Sequence, residues 1–198
     1  GQLGAAAARH AVAAGAHTIV IDHDVARLRV VHDETSGHAV TIVADSDRLE
    51  RYTAIADVVI GAVHIPGGRA PFLVSREMVR GMKKGSVIVD ASIDQGGCVE
   101  TSRPTTLADP VFEAEGVIHY CVPNMTSSVA RTASRALASA ALPYLVEIAE
   151  IGLDEALRRD SGVSAGVTMY RGQLVHPRVA AALGVEPQSL ASLVEERS

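Results

Sequence analysis

The sequence predicts an α/β fold, a doubly wound parallel sheet followed by a helical segment, on three observations. Short β-branched runs alternate with helix-forming stretches at the spacing of βαβ units. Several of the runs are almost continuously apolar, as strands covered on both faces are. After Asn124 the alternation stops and helical patterns take over.

Taken in order, Gly4 to Gly15 is Ala-rich and closed by glycine, which predicts a helix. His17–Asp22 is a β-branched run of strand length. Val25–Val31 reads as a helix with Leu28 and Val31 turned inward, and Asp33–Gly37 as a turn. His38–Val43 is the next strand, Arg48–Ile55 a short helix, and Asp57–Ala62 a third strand that runs into the Pro/Gly loop Ile65–Pro71. Ser75 is placed to cap a helix over Arg76–Met82, because its hydroxyl can accept from an open backbone N–H. Gly85–Asp90 is a fourth strand, a long loop with Gly96, Gly97, Pro104 and Pro110 follows, and Gly116–Cys121 is a fifth strand. Ser127–Glu150 is one long helical pattern interrupted by Pro143, with shorter ones at Leu153–Arg159 and Arg178–Leu183 and a frayed polar tail at Glu195–Ser198.

Composition narrows the function classes. The chain has 198 residues, 47% of them hydrophobic, and a net charge of −5. Its length suits one domain and part of another. The acidic balance, with four tyrosines, two phenylalanines and no tryptophan, argues against a nucleic-acid binder, which needs a basic face and stacking platforms. No window approaches the ~18 apolar residues of a membrane span. Cys98 and Cys121 are read as reduced packing residues of a cytoplasmic protein.

Gly1-Gln2-Leu3-Gly4 opens a helix, a strand follows, and that strand ends in Asp22. Asp22 lies 18 residues past Gly4, close to the ~20 expected between the last glycine of a dinucleotide fingerprint and its ribose-binding acid. Glycine lets backbone approach a pyrophosphate, and a helix N-terminus offers open N–H groups. A carboxylate at Asp22 accepts from ribose hydroxyls and repels a 2′-phosphate, which favours NAD over NADP. A Rossmann unit has a strand before that turn; none precedes Gly1, so the chain is read as starting within the fold. Asp94 sits beside Gly96 and Gly97 after the fourth strand, at the sheet edge where ligands bind. It is a candidate proton acceptor or hydrogen-bond anchor, with loop capping by Asp90 and Asp94 as the bland alternative. Asn124, after the fifth strand, is placed to bond a carboxamide or simply to make a turn. His64 is read as an ordinary loop histidine and His119 as structural, and no histidine shows metal spacing.

These segments carry a resemblance. Asp57–Pro71, Met82–Asp90, Ile93–Cys98 (Ile-Asp-Gln-Gly-Gly-Cys), Ser102–Thr106, His119–Met125 and Leu142–Leu145 are similar to the C-terminal part of the alanine dehydrogenase/pyridine nucleotide transhydrogenase family, over nearly the whole chain. The resemblance implies reversible oxidative deamination of L-alanine to pyruvate and ammonia with NAD as cofactor. It implies a Rossmann-type NAD-binding domain over residues 1–127 that lacks its first strand, and helices over 128–198 belonging to the substrate domain. It implies a homo-oligomer, commonly a hexamer. It makes Gly1 and Gly4 fingerprint glycines, with Gln2 and Leu3 offering backbone to the pyrophosphate, Asp22 the ribose acid and Arg27 a basic residue on the adenosine side. Val63 and His64 become backbone contacts, Ala91, Ser92, Ile93 and Asp94 the loop beneath the nicotinamide, and Arg103 a further cofactor contact. Val122, Pro123, Asn124 and Met125 become the nicotinamide pocket, with Asp94 the acidic catalytic residue.

Two stretches depart from the family pattern: Ala44, beside Asp45 and Ser46, stands where a serine is common near the adenine, and Thr126 and Ala130 stand where prolines are common. The family's substrate-binding basic residues and catalytic His and Lys lie in an N-terminal part that this chain does not contain, so the chain is expected to be inactive alone. Two other readings differ in class: the nucleotide-binding subunit of a proton-translocating transhydrogenase, and a non-catalytic NAD-binding module.

Overall fold

Helices and strands alternate through the first part of the chain and helices dominate the rest; the computed structural model describes residues 1–195. It divides into two compact units, one of residues 1–65 and 69–125, the other of residues 66–68 and 126 onward.

In the first unit the alternation of the sequence becomes alternation of structure. Helix α1 (Gln2–Ala13) follows from its alanine run and ends before Gly15, at φ 80°. Strand β1 (Ile19–Asp22) leads into α2 (Val25–Glu34), whose N-cap is Asp24; the carboxylate accepts from the Ala26 and Arg27 N–H groups. Leu28 and Val31 are buried, as their helical spacing predicts, and Val31 packs with Ala8, Ala39 and Val20. Then come β2 (Val40–Val43), α3 (Ser46–Ile55), β3 (Val58–Gly61), α4 (Arg76–Gly81) and β4 (Val87–Asp90). Ser75 caps α4 through the Met78 N–H at 3.3 Å.

After β4 a 3₁₀ turn (Ile93–Gln95) and a loop precede β5 (Val111–Ala114) and β6 (Val117–Tyr120). The sequence reading placed a long loop before the fifth strand; its end is instead β5, antiparallel to β6. The hairpin closes on Glu115 and Gly116, both at positive φ (55° and 78°), the twist that a two-residue hairpin turn requires.

Pairing gives two ladders, β1–β2 parallel and β3–β4–β6–β5 with β3, β4 and β6 parallel. In a doubly wound order the first strand lies between the second and the fourth, which is where β1 and β3 present unpaired edges. Val58 and Ile60 are correspondingly 55% and 45% exposed. Helix α4 and strand β4 border the larger core: Val79, Ile88, Val99 and Val117 are fully buried, with Val74, Met82 and Cys98 against them. Each such aliphatic side chain contributes about 1.5–3 kcal/mol on burial.

The second unit begins with a 3₁₀ turn (Met125–Val129) and α5 (Ala130–Ile151), which has no buried residue and carries Pro143 inside it. Helices α6 (Leu153–Arg159), α7 (Ser161–Ala165), α8 (Pro177–Leu183) and α9 (Leu190–Glu195) follow. Between α7 and α8 lies a hairpin that the sequence reading did not contain, β7 (Met169–Tyr170) with β8 (Gln173–Leu174), again turning on two positive-φ residues, Arg171 and Gly172. Leu157, Tyr170, Val175 and Val194 form this unit's core. Most of the expected frayed tail, residues 196–198, lies outside the described residues. Among the described residues no single helix is long and apolar enough to cross a membrane.

Candidate functional site

The N-terminus of α1 links the carboxyl ends of β1 and β3. The Gly1 amino nitrogen is 3.9 Å from Asp22 Oδ2, and a Cβ at Gly4 would touch Ala62, just past β3, at 3.5 Å. Helix α1 has no side-chain cap. Its first-turn N–H groups and the positive end of its dipole therefore remain available to an anion. Gln2 and exposed Leu3 lie in that first turn. Asp22 keeps one oxygen engaged, Oδ1 accepting from the Asp24 N–H at 3.0 Å. A glycine helix start without a cap, beside a carboxylate, fits the pyrophosphate and ribose of a dinucleotide.

Arg27 is in the first turn of α2, with Nε 3.3 Å from Asp24 Oδ2, so its guanidinium rests on its own helix cap. The Arg27 and Ala26 N–H groups hold the Asp24 carboxyl below its usual range. At the end of β2, Asp45 caps α3 through the Arg48 N–H at 2.8 Å, with Ala44 and Ser46 on either side.

The loops after β3, β4 and β6 meet at the same edge. Ala91 continues the β3–β4 ladder, its N–H donating to Gly61 O at 2.9 Å. Ser92 is buried, and its Oγ accepts from the Val63 N–H at 2.8 Å. Val63 thus keeps only its carbonyl for a ligand, whereas exposed His64 carries both backbone groups next to it. Ile93 and Val122 are buried beneath, and Asp94 is exposed above them. The Asn124 N–H donates to both Asp94 oxygens, at 3.0 and 3.2 Å. Asn124 adopts φ 51°, a left-handed conformation that asparagine tolerates better than most residues, so the Pro123-Asn124-Met125 turn brings its backbone onto Asp94.

Arg103 reaches this edge by a different route. Its guanidinium lies 4.1 Å over the Phe112 ring, and Phe112 stacks on His119 at 4.9 Å. His119 is fully buried: Nδ1–H donates to Val117 O at 2.9 Å, which leaves Nε2 to accept from Thr101 Oγ1 at 2.7 Å. Burial pushes its pKa down, which keeps the ring neutral. The Thr105 N–H donates to Cys121 O, tying the Arg103 loop to the end of β6.

Two residues that hold this edge together were not read as functional. Asp90 has no exposed surface, and its carboxylate accepts from the Ser92, Cys98 and Val99 N–H groups at 3.0, 2.9 and 3.2 Å. Gln95 is bonded to Ile65 through both atoms of its side-chain amide. An Asp closing an apolar strand signals the first; the second has no local signal, since its partner lies 30 residues away. Cys98 and Cys121 are buried, as expected, and burial together with the Asp90 charge pushes the Cys98 thiol up to about 12. Among the described residues no group of three or more His, Cys, Asp or Glu is placed to hold a metal ion.

Comparisons with known proteins bear on the family and the fold. The family model described as "Alanine dehydrogenase/PNT, C-terminal domain" matches residues 1–177. An alanine dehydrogenase of Halomonas elongata is 44% identical over 194 residues, covering 98% of this chain and 52% of that protein. Alanine dehydrogenase 1 of Staphylococcus aureus is 40% identical over 190 residues, covering 96% of this chain and 51% of that protein. The chain thus spans about half the length of the curated relatives it matches. A solved L-alanine dehydrogenase superposes with TM-score 0.80 at 42% identity, over 93% of this chain and 51% of its own. A transhydrogenase structure from Sinorhizobium meliloti superposes with TM-score 0.69 at 28% identity, over 89% and 47%.

Proposed function

Because the chain belongs to the alanine dehydrogenase/PNT family through that family's C-terminal domain, we propose that it is the NAD-binding part of an enzyme that interconverts L-alanine with pyruvate and ammonia. The observation that carries the reading is the uncapped glycine start of α1 beside Asp22, at the sheet edge where Asp94 and Asn124 meet. When bound, the nicotinamide cofactor supplies the hydride acceptor.

The chain's own residues would bind and orient. Gly1, Gln2, Leu3 and Gly4 present backbone N–H groups to the pyrophosphate. Asp22 accepts from the ribose and disfavours a 2′-phosphate, and Arg27 lies on the adenosine side. His64 and the Val63 carbonyl, with Ala91, Ser92 and Ile93, line the middle of the site, and Arg103 contributes a cation fixed on Phe112. Val122, Pro123, Asn124 and Met125 form the wall facing the nicotinamide. Asp94, exposed and fixed by the Asn124 N–H, is the group that holds or moves a proton during amine oxidation. Residues 1–127 form the cofactor domain on this reading. Residues 128–198 form part of a substrate domain completed by basic and acid–base residues supplied elsewhere, in a cytoplasmic homo-oligomer. The transhydrogenase reading has the weaker support, 28% identity against 40–44% for the alanine dehydrogenases.

The test follows NADH absorbance during alanine oxidation, using the chain as it stands and the chain joined to the N-terminal half of the Halomonas elongata relative. Only the joined protein is expected to turn over, with Asp94→Asn slowing it roughly 10²–10⁴-fold. A joined protein that binds NADH yet ignores alanine and pyruvate would overturn the substrate assignment.

A further inference from the structure

We propose that Gln95 is a positioning residue, a latch that holds the loop after β3 against the loop after β4 so that the backbone of residues 62–65 meets the cofactor in a fixed conformation. The role rests on the nucleotide-binding reading above.

The β3–β4 ladder ends at Gly61 and Asp90, with one further bond from the Ala91 N–H to Gly61 O. Beyond that point the two chains part, yet residues 62–65 still carry backbone groups that need partners. Side chains supply them. The Ile65 N–H donates to Gln95 Oε1 at 2.9 Å, and Gln95 Nε2 donates to Ile65 O at 2.9 Å. This closed pair copies what a neighbouring strand would offer. The Val63 N–H is held by Ser92 two residues earlier.

Gln95 is itself rigid. Its N–H donates to Ser92 O at 2.8 Å, and its carbonyl accepts from the Ala70 N–H at 3.0 Å. Gln95 therefore ties both ends of the 65–70 loop to one 3₁₀ turn, Ile65 through its side-chain amide and Ala70 through its backbone carbonyl; the same turn carries Asp94. Ile65 is followed by Pro66, Gly67 and Gly68, where the Pro66 carbonyl accepts from Arg178 Nη1 at 3.1 Å. Without the latch, the segment that presents Val63 and His64 regains conformational freedom that binding would have to remove.

The pair demands a donor and an acceptor on one planar group. Glutamine has both, and so has a protonated glutamic acid; a glutamate anion has only acceptors and would face the Ile65 carbonyl. Gln95→Glu is therefore a latch that closes on protonation. The ionisable or charged neighbours are Asp94 on the same turn and His64 and Arg69 on the facing loop, so wild type is measured at each pH as the reference.

NADH binding, read by its fluorescence, is measured in the joined protein described above for wild type, Gln95→Ala and Gln95→Glu at pH 8 and pH 5, with thermal midpoints and exchange of the Ile65 amide. Gln95→Ala is expected to weaken NADH about five- to tenfold at both pH values, the scale of one net hydrogen bond, and to speed Ile65 exchange. Gln95→Glu is expected to match Gln95→Ala at pH 8 and return to within about twofold of wild type at pH 5, since its acid has an unperturbed pKa near 4.3 that hydrogen bonding of the neutral form raises. If Gln95→Ala does not fold, the pH profile of Gln95→Glu carries the test alone. Wild-type affinity in Gln95→Ala, with only the midpoint lowered, overturns the positioning role, as does a Gln95→Glu deficit equal at both pH values. Failure of wild type to bind NADH overturns the nucleotide reading itself, and the latch role with it.

Discussion

Replacing Asp90 by asparagine removes one charge and one acceptor from a site with no access to water. The Asp90 Oδ2 accepts from the Cys98 and Val99 N–H groups, and Oδ1 accepts from the Ser92 N–H. An asparagine keeps its oxygen where two donors converge, which turns its NH₂ toward the Ser92 N–H, donor against donor. One charge-assisted bond is lost, worth about 1.5–3 kcal/mol, and the other two fall to neutral strength. The expected cost is on the order of 3 kcal/mol, or a drop of about 6–12 °C in thermal midpoint for a chain of this size. The assay is thermal and urea unfolding followed by far-UV circular dichroism. The loss should fall on the transition of the first unit and leave that of the second unchanged. An Asp90→Asn protein within about 0.5 kcal/mol of wild type would refute the reasoning, because it would mean that the three N–H groups find equally good partners without the carboxylate.

Three further outcomes follow from the same unit. Gly61→Ala drives a methyl onto Cys98 Sγ and to 3.3 Å from Asp90 Oδ1; it should cost about 1–3 kcal/mol, and a Cys98→Ala partner substitution should return part of that in a double-mutant cycle. Cys98, buried with its thiol pushed up to about 12, should not react with a disulfide reagent at pH 8 until urea unfolds the chain; prompt native-state labelling would contradict the packing. Burial lowers the His119 pKa below its unfolded value of about 6.5, so the unfolded chain takes up that proton first. The stability attached to the neutral ring is present above pH 6.5 and is lost as pH falls from there toward the lowered folded value. The urea midpoint should therefore be lower at pH 5.5 than at pH 7.5, by a difference that shrinks in His119→Asn.

What could be read from the sequence was what is encoded locally. Runs such as Val87–Asp90 declare themselves because a parallel strand buried on both faces needs apolar, β-branched residues at every position. Leu28, Val31 and Ser75 could be assigned because helical spacing and a capping hydroxyl each act within a turn. The two antiparallel hairpins were missed because Val111–Ala114 carries a glutamate and buries no position fully, unlike the apolar runs, and Met169–Tyr170 is only two residues long. Their signal lies in the turns instead: Glu115-Gly116 and Arg171-Gly172 are residue–glycine pairs at positive φ. In the candidate site, Asp22 stood out as the acid that ends a strand and Asp94 as an acid in the loop after one. The Phe112 platform under Arg103 and the bond between Gln95 and Ile65 did not, since each depends on a strand pairing or loop crossing between distant parts of the chain.

The unpaired edges of β1 and β3 set an order for the assembly of the sheet. Each ladder grows by joining neighbouring βα segments, so both halves can form early. The seam between them is different. A strand seated there pairs in parallel on both sides at once, a topology that folds late because distant segments must meet before any bond rewards them. While the seam stands open, Ile19, Val58 and Ile60 expose apolar surface beside ungripped backbone, a template to which extended apolar segments add. Until a strand fills the seam, the edges of β1 and β3 that face it are the part of the sheet where a further strand can add.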